Sequence, residues 1–144
     1  MTFHIRPSVP ADHDAVLALW REGAAFATTT DDLDGLGALH ARDDGALLIA
    51  EDGPRLVGSV IAGWDGWRGG IYRIVVAPSH RRRGVGRELV RAAVTSLLER
   101  GVRRIAAVVE GEDAQAMAFW GAMDSEGFVH DAGQTRFVRG TVPA

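Results

Sequence analysis

The sequence contains no cysteine, which excludes a disulfide framework, a thiolate metal site and a cysteine nucleophile. It also lacks any apolar run near the roughly 20 residues that cross a membrane. The N-terminus has no apolar stretch typical of a signal peptide. The histidines have no ligand spacing. We therefore expect a cytoplasmic protein with no metal and no membrane partner.

An excess of positive charge is also missing. The formal net charge is -3 and the sequence pI is about 5.9, which argues against a nucleic-acid binder. The 47% hydrophobic and 24% charged residues are ordinary for a globular chain. At 144 residues the chain is long enough for a substantial core, and we expect one domain over residues 1–144.

The apolar periodicity predicts a fold of the α/β (α+β) class. Predicted helices cover residues 12–23, 31–42, 85–100 and 113–123, and predicted strands cover residues 3–6, 46–50, 56–62, 71–76, 103–109, 128–130 and 136–138. Short connections within 46–76 indicate an antiparallel meander, whereas 71–109 reads as strand–helix–strand with a connection long enough for a parallel crossover. The sheet is therefore expected to be mixed.

The connection after the strand at 71–76 has the composition of a phosphate site. Arg81-Arg82-Arg83 precede Gly84 and Gly86, and an amphipathic helix follows at once. The first N–H groups of a helix bind anions, glycine permits close approach, and arginine adds charge-assisted hydrogen bonds. The P-loop and dinucleotide patterns are both absent. The segment predicts a pyrophosphate cradle of another kind; the alternatives are a solvated basic patch and a nucleic-acid contact.

The segment 76–86, Val-Ala-Pro-Ser-His-Arg-Arg-Arg-Gly-Val-Gly, resembles motif A of the GNAT superfamily of N-acetyltransferases. Its core, Arg81-x-x-Gly84-x-Gly86, stands in the strand–loop–helix context of that family. The resemblance is firm over 71–128, extends over nearly the whole chain, and is closest to small bacterial members of the ribosomal-protein alanine acetyltransferase type. It implies a single-domain GNAT fold: a mixed, mostly antiparallel sheet of about six to seven strands with a central, splayed parallel pair, flanked by about four helices.

The same resemblance implies transfer of an acetyl group from acetyl-coenzyme A to a primary amine of a small molecule, peptide or protein by direct attack. The Val76 N–H is the implied oxyanion donor. The implied coenzyme-binding residues are the backbone of the strand end, the arginine–glycine segment and part of the last helix, namely Ile74, Val75, Val76, Arg81, Arg82, Arg83, Gly84, Val85, Gly86, Arg87, Asp113, Phe119 and Trp120.

The sequence departs from the family at the general acid. By its Phe-Trp context, Trp120 takes the place of the usual tyrosine, and an indole N–H cannot supply a proton near neutral pH. The only tyrosine, Tyr72, is the remaining candidate acid; its alternative is a packed strand residue. Glu110 is the candidate base, with Glu112 and Asp113 as alternatives. A non-catalytic acyl-coenzyme A sensor or partner-binding module is the alternative function.

The acceptor is not readable from the sequence. Trp64 and Trp67 lie in a turn where they would contact an acceptor or pack a hairpin. The acidic run Asp31, Asp32 and Asp34 would attract a cationic amine or begin a helix. A homodimer is left open.

Overall fold

The computed structural model describes residues 3–24, 28–109 and 111–139. Backbone contacts divide the chain into two compact units, residues 1–108 and 109–144, and each is described by itself. The first unit contains a β-sheet and three α-helices, and the second contains one α-helix.

The sheet of the first unit has strands β1 (His4–Pro7), β2 (Leu47–Asp52), β3 (Arg55–Trp64), β4 (Gly69–Val76) and β5 (Ile105–Ala107), in that spatial order. The pairs β1–β2, β2–β3 and β3–β4 are antiparallel, and the pair β4–β5 is parallel. Tight turns explain the antiparallel order: Gly53 has a φ of +59° between β2 and β3, where glycine is favoured. The predicted meander and the parallel crossover are confirmed.

The helices of the first unit are α1 (His13–Gly23), α2 (Leu33–Arg42) and α3 (Val85–Glu99). A Cβ on Gly58 of β3 would meet Leu89 and Val85 of α3, whereas the next residue, Ser59, bonds to Trp20 of α1. Successive strand residues point to opposite faces, so α1 and α3 cover opposite faces of the sheet. In the described segments no helix is long and apolar enough to cross a membrane.

The start of α2 depends on a glycine. The Asp32 carboxylate caps the helix by accepting from the Gly35 N–H at 2.7 Å. A Cβ on Gly35 would lie 2.2 Å from the Thr30 carbonyl oxygen, whereas one on Gly37 would meet nothing within 4 Å. Gly35 therefore lets the preceding turn close on the helix, and the predicted helix forms despite both glycines.

The second unit contains α4 (Ala114–Gly121) and a 3-10 turn, Ala122–Glu126. The strands predicted at 128–130 and 136–138 are wrong, because these residues pair with nothing in the described ladder. Val129 and Phe137 are 85% and 93% exposed, so alternation there buries no face, and a strand without a partner has no ladder to stabilise it. The described residues therefore form five strands, not six to seven, and the parallel pair lies at the edge of the sheet, not at its centre.

Candidate active site

The arginine–glycine segment joins β4 to α3 and forms an open helix N-terminus. Gly84 is the N-cap of α3, with a φ of +81°, and no described side chain caps the helix. A Cβ on Gly84 would meet nothing within 4 Å. The first N–H groups of an α-helix have no intrahelical partner and carry partial positive charge. This end of α3 therefore fits a phosphate group of a coenzyme.

The three arginines of this segment lie in different surroundings. Arg82 and Arg83 are exposed, and neither guanidinium has an ion-pair partner within the described ranges. Arg82 also has a φ of +62°, which is unusual for a residue with a Cβ. Arg81 instead donates from Nη2 to the Gly23 carbonyl at the end of α1, at 3.1 Å. Arg82 and Arg83 are thus available to an anion, whereas Arg81 fastens the loop to α1.

The remaining residues of the segment lie on the first turn of α3. Val85 and Gly86 are buried and Arg87 is half-buried. The burial of Val85 and Gly86 sets how α3 sits on the sheet, so these two residues would contribute to an anion through the backbone, whereas Arg87 also carries a guanidinium.

His80 is a buried residue of the loop before the arginines to which the sequence prediction gave no role. It is buried, and Nε2 lies 2.8 Å from Asp52 Oδ2 while Nδ1 lies 2.8 Å from Ser79 Oγ. Neutral imidazole satisfies both contacts when Nε2 carries the proton. The ring thus ties the 3-10 turn Pro78–His80 to the end of β2. A histidine directly before the arginine run was the available signal.

The end of β4 carries an irregularity that controls which N–H groups are accessible. Ile61 of β3 faces Tyr72, but Ser59 faces Val75, so β4 has one extra residue between these pairs. Arg73 lies in this bulge with a φ of +49°. Past the bulge, the Ala77 N–H donates to the Val57 carbonyl at 2.8 Å. Because successive N–H groups point to opposite sides, the Val76 N–H points away from β3.

The side of β4 that faces away from β3 is open near its C-terminal end. Gly69, Gly70 and Ile71 face β5, which ends at Ala107 opposite Ile71. The rest of β4, from Tyr72 to Val76, has no described strand beside it on this side. Val76 therefore presents its N–H to a gap, while the backbone of Val75 pairs with Ser59. Ile74 lies directly before Val75, next to Arg73 in the bulge.

Tyr72 is not brought to Val76. Its ring crosses toward the start of β4: a Cβ on Gly70 would lie 2.7 Å from the Tyr72 hydroxyl, and one on Gly63 would lie 3.4 Å from Cε2. Tyr72 is 54% exposed and, with Trp64 and Val108, lines a groove of about 340 Å³. Val76 comes four residues after Tyr72, which is about 13 Å along a strand. Its role as an acid stays a prediction.

The predicted residues of the last helix lie in the second unit. Asp113 caps α4, its Oδ1 accepting from the Ala116 N–H at 3.0 Å. Trp120 packs edge-on against Phe119 and Phe128, with ring centroids 5.5 and 5.1 Å apart. Glu110 lies outside the described residues. The catalytic and coenzyme roles of these residues stay predictions.

Asp31, Asp32 and Trp67, three of the residues predicted to face an acceptor, already have partners. The Asp31 carboxylate is paired with Arg73 and Asp32 caps α2, so the acidic run does serve as a helix start. The Arg68 guanidinium stacks on Trp67 at 4.0 Å.

No group of three or more histidine, aspartate and glutamate side chains placed to hold a metal occurs within the described residues.

A sequence profile of the acetyltransferase (GNAT) family matches residues 13–124. An acetyltransferase of Sodalis glossinidius is 27% identical over 115 residues, covering 80% of this chain and 81% of its own. The structure of Ard1 from Thermoplasma volcanium superposes with a TM-score of 0.79 at 20% identity, over 92% of this chain and 86% of that one. The ribosomal-protein-S18-alanine N-acetyltransferase from Escherichia coli superposes with a TM-score of 0.67 at 18% identity, over 84% and 76%.

The open helix end and the strand gap thus occur in a chain that belongs to the acetyltransferase (GNAT) family. It is an N-acetyltransferase that uses acetyl-coenzyme A as cosubstrate. The expected family, activity and cosubstrate are confirmed.

Proposed function

We propose that the acetyl group passes directly from acetyl-coenzyme A to a primary amine beside the open end of β4. The observation that carries this proposal is the Val76 N–H, which points into the gap left by β5. Acetyl-coenzyme A supplies the thioester carbonyl and a thiolate leaving group. The amine nitrogen attacks the carbonyl carbon, the carbon–nitrogen bond forms, the carbon–sulfur bond breaks, and the amine loses a proton.

The chain's own residues divide the work of binding. The N–H groups at the start of α3 hold the pyrophosphate, and Arg82 and Arg83 add charge from the solvent side. Gly84 keeps this approach open because it has no Cβ. Backbone groups of Ile74 and Val76 bond to the pantetheine arm along the open edge of β4.

The Val76 N–H supplies electrostatic stabilisation. It donates to the carbonyl oxygen as negative charge develops there, and removing one such donor typically costs a factor of about 10²–10³ in kcat. A thiol with a pKa near 8.5 leaves as thiolate without a dedicated acid, so water suffices to protonate it. Glu110 is the proposed base, and a positioned base contributes on the order of 10²–10⁴-fold.

Replacement of Val76 tests the oxyanion role. Val76→Pro removes the N–H but no ladder hydrogen bond to β3, because this N–H points away from that strand. We expect kcat to fall about 100-fold or more, with the Kd for acetyl-coenzyme A within a few-fold of native. Val76→Ala keeps the N–H and serves as the control. Equal rates for the two variants, both binding the coenzyme, would remove Val76 from the mechanism.

A non-catalytic acyl-coenzyme A sensor is the second candidate. It is favoured by the placement of the Tyr72 hydroxyl over Gly70 and by the indole at Trp120. Thiol release measured against polyamines, amino acids, aminoglycosides and peptide N-termini separates the two, because a sensor binds but does not turn over. If millimolar acetyl-coenzyme A produced neither calorimetric heat nor a thermal shift, both candidate functions would be excluded.

The family match over 13–124 runs through both compact units, which supports the proposal that residues 1–144 act as one domain. A homodimer and a cytoplasmic location remain predictions. The oligomeric state is checked by sedimentation.

A further inference from the structure

Arg73 is the one described residue inside a strand that has a positive φ and a side chain. This left-handed conformation is unfavourable for any residue with a Cβ. It lies in the bulge of β4, three residues before the Val76 N–H that we assign to catalysis. Such a conformation persists only where the surroundings hold it, so the contacts of Arg73 are informative.

The backbone of Arg73 is held by a buried polar chain. The Ser59 hydroxyl donates to the Arg73 carbonyl at 2.9 Å and accepts from the Trp20 Nε1–H at 2.8 Å. Ser59 is fully buried and Trp20 is 5% exposed. Buried groups that lose a hydrogen-bond partner are strongly penalised. The Ser59 hydroxyl therefore connects the backbone of the bulge to Trp20 of α1 through two buried hydrogen bonds.

The side chain of Arg73 reaches outward to the segment between α1 and α2. Its Nε donates to Asp31 Oδ1 at 3.1 Å, its Nη2 contacts Asp31 Oδ2, and Nη2 lies 3.3 Å from Thr28 Oγ1. Asp31 also accepts from the Thr28 N–H at 2.9 Å. The guanidinium lies over the Trp20 ring at 5.3 Å. We call residues 28–32 the clasp segment.

The clasp segment lies on the α1 side of the sheet, the side from which we take the amine to approach. The phosphate-binding end belongs to α3, and α1 covers the opposite face of the sheet. On that opposite side a groove of about 490 Å³ runs between α1 and the start of α2, with Leu17 and Asp31 among its walls. Asp31 thus belongs both to the pair with Arg73 and to the groove wall.

We propose that Arg73 and Asp31 are positioning residues, whose ion pair holds the clasp segment on the β4 bulge and so fixes how the amine reaches Val76. The pair touches neither substrate in this assignment. The inference rests on the proposed function, because it assumes that the Val76 N–H serves the reaction. It predicts that loss of the pair affects the amine and not the coenzyme.

The variants Asp31→Asn, Arg73→Gln and their combination test this. Arg100→Gln is the matched control, because Arg100 and Asp43 form another partly exposed pair in the same unit, with Nη2 3.0 Å from Oδ1. Hydrogen exchange measures the clasp directly. We expect amides of residues 28–32 to exchange at least about 10-fold faster in the three clasp variants and at the native rate in Arg100→Gln.

Kinetics form the second arm, with the amine of the panel that native protein acetylates fastest. We expect kcat/KM for the amine to fall about 10-fold or more in each single variant and little further in the double variant. The Kd for acetyl-coenzyme A should stay within twofold of native, and Arg73→Lys should recover part of the rate. Unchanged exchange, additive losses, or a coenzyme Kd that rises as kcat/KM falls would overturn the proposal. If native protein acetylates no amine, the proposed function fails, and the exchange arm alone decides whether the clasp exists.

Discussion

The two ends of α3 offer a controlled test of the phosphate site. Gly84 at its N-terminus and Gly101 just past its C-terminus both have a φ of +81°, and a Cβ on either would meet nothing within 4 Å. Gly84→Ala and Gly101→Ala therefore impose the same backbone strain on the same helix. Only the first lies where coenzyme phosphate is proposed to bind. A difference between the variants isolates binding from stability.

The magnitude follows from the backbone. A left-handed conformation costs a residue with a Cβ about 1–2 kcal/mol. Replacing glycine also reduces the conformational entropy of the unfolded chain, which offsets about 0.4–1 kcal/mol of that cost. We expect each variant to lose about 1 kcal/mol of unfolding free energy, or about 3 °C in Tm for a domain of this size. Gly84→Ala should also weaken acetyl-coenzyme A at least 10-fold, about 1.4 kcal/mol, because its methyl group obstructs the helix N-terminus.

Scanning calorimetry without ligand measures the first effect, and titration calorimetry with acetyl-coenzyme A measures the second. Gly101→Ala should bind the coenzyme with native affinity. The reasoning is refuted if the two alanine variants bind equally, whether both tightly or both weakly. Arg81→Ala is a useful third variant: since Arg81 contacts Gly23, it should weaken the coenzyme less than Gly84→Ala does.

Three further predictions concern stability. Gly37→Ala should stabilise α2 by about 0.5–1 kcal/mol, whereas Gly35→Ala should destabilise the folded protein by about 1–3 kcal/mol, because only a methyl group at Gly35 meets the Thr30 carbonyl. Urea unfolding measures both changes, and equal changes in the two variants would show that the clash does not occur. Burial, and then His40, lower the pKa of His13 from 6.5, so the folded state binds this proton less well than the unfolded chain, and stability should fall as pH drops below about 6.5. His13→Leu should flatten the dependence of stability on pH. If that dependence were unchanged between pH 8 and 5 in the variant, it would arise from other groups. The hydrogen bond from Arg100 lowers the pKa of Asp43 below 3.8. The pair therefore contributes fully to stability above pH 3.8, and this contribution is lost as acid protonates the carboxylate. In Arg100→Gln, denaturant midpoints measured from about pH 5 to 3 should fall less steeply than in native protein.

Elements with a continuous apolar stripe were predictable. The recurrence of Leu89, Ala93 and Leu97 predicts α3, and each of these side chains is fully buried. The arginine–glycine segment predicts an open helix end because that property depends on local residues alone. Local pattern also determines β2, β3 and β4 to within a few residues.

Features that depend on distant partners were not predictable in this way. The alternation at 128–138 suggested strands, but only a neighbouring strand provides the ladder that stabilises one. The Arg81 side chain looks identical to Arg82 in sequence, yet the end of α1 gives it a carbonyl partner. The direction of the Tyr72 ring likewise depends on the space above Gly63 and Gly70.

The bulge in β4 has a consequence for how the chain tolerates changes of length. Before the bulge, the Asp65 N–H donates to the Arg68 carbonyl and Ile61 faces Tyr72. If that register continued, Val76 instead of Ala77 would face Val57, and its N–H would be consumed inside the sheet. Losing the bulge with every residue kept, or inserting one residue with the bulge kept, would therefore remove the proposed oxyanion donor while leaving Val76 in the sequence. Deleting one residue between Tyr72 and Val76 would instead remove the bulge and leave Val76 opposite Gly58, so the bulge and the length of this stretch must match each other.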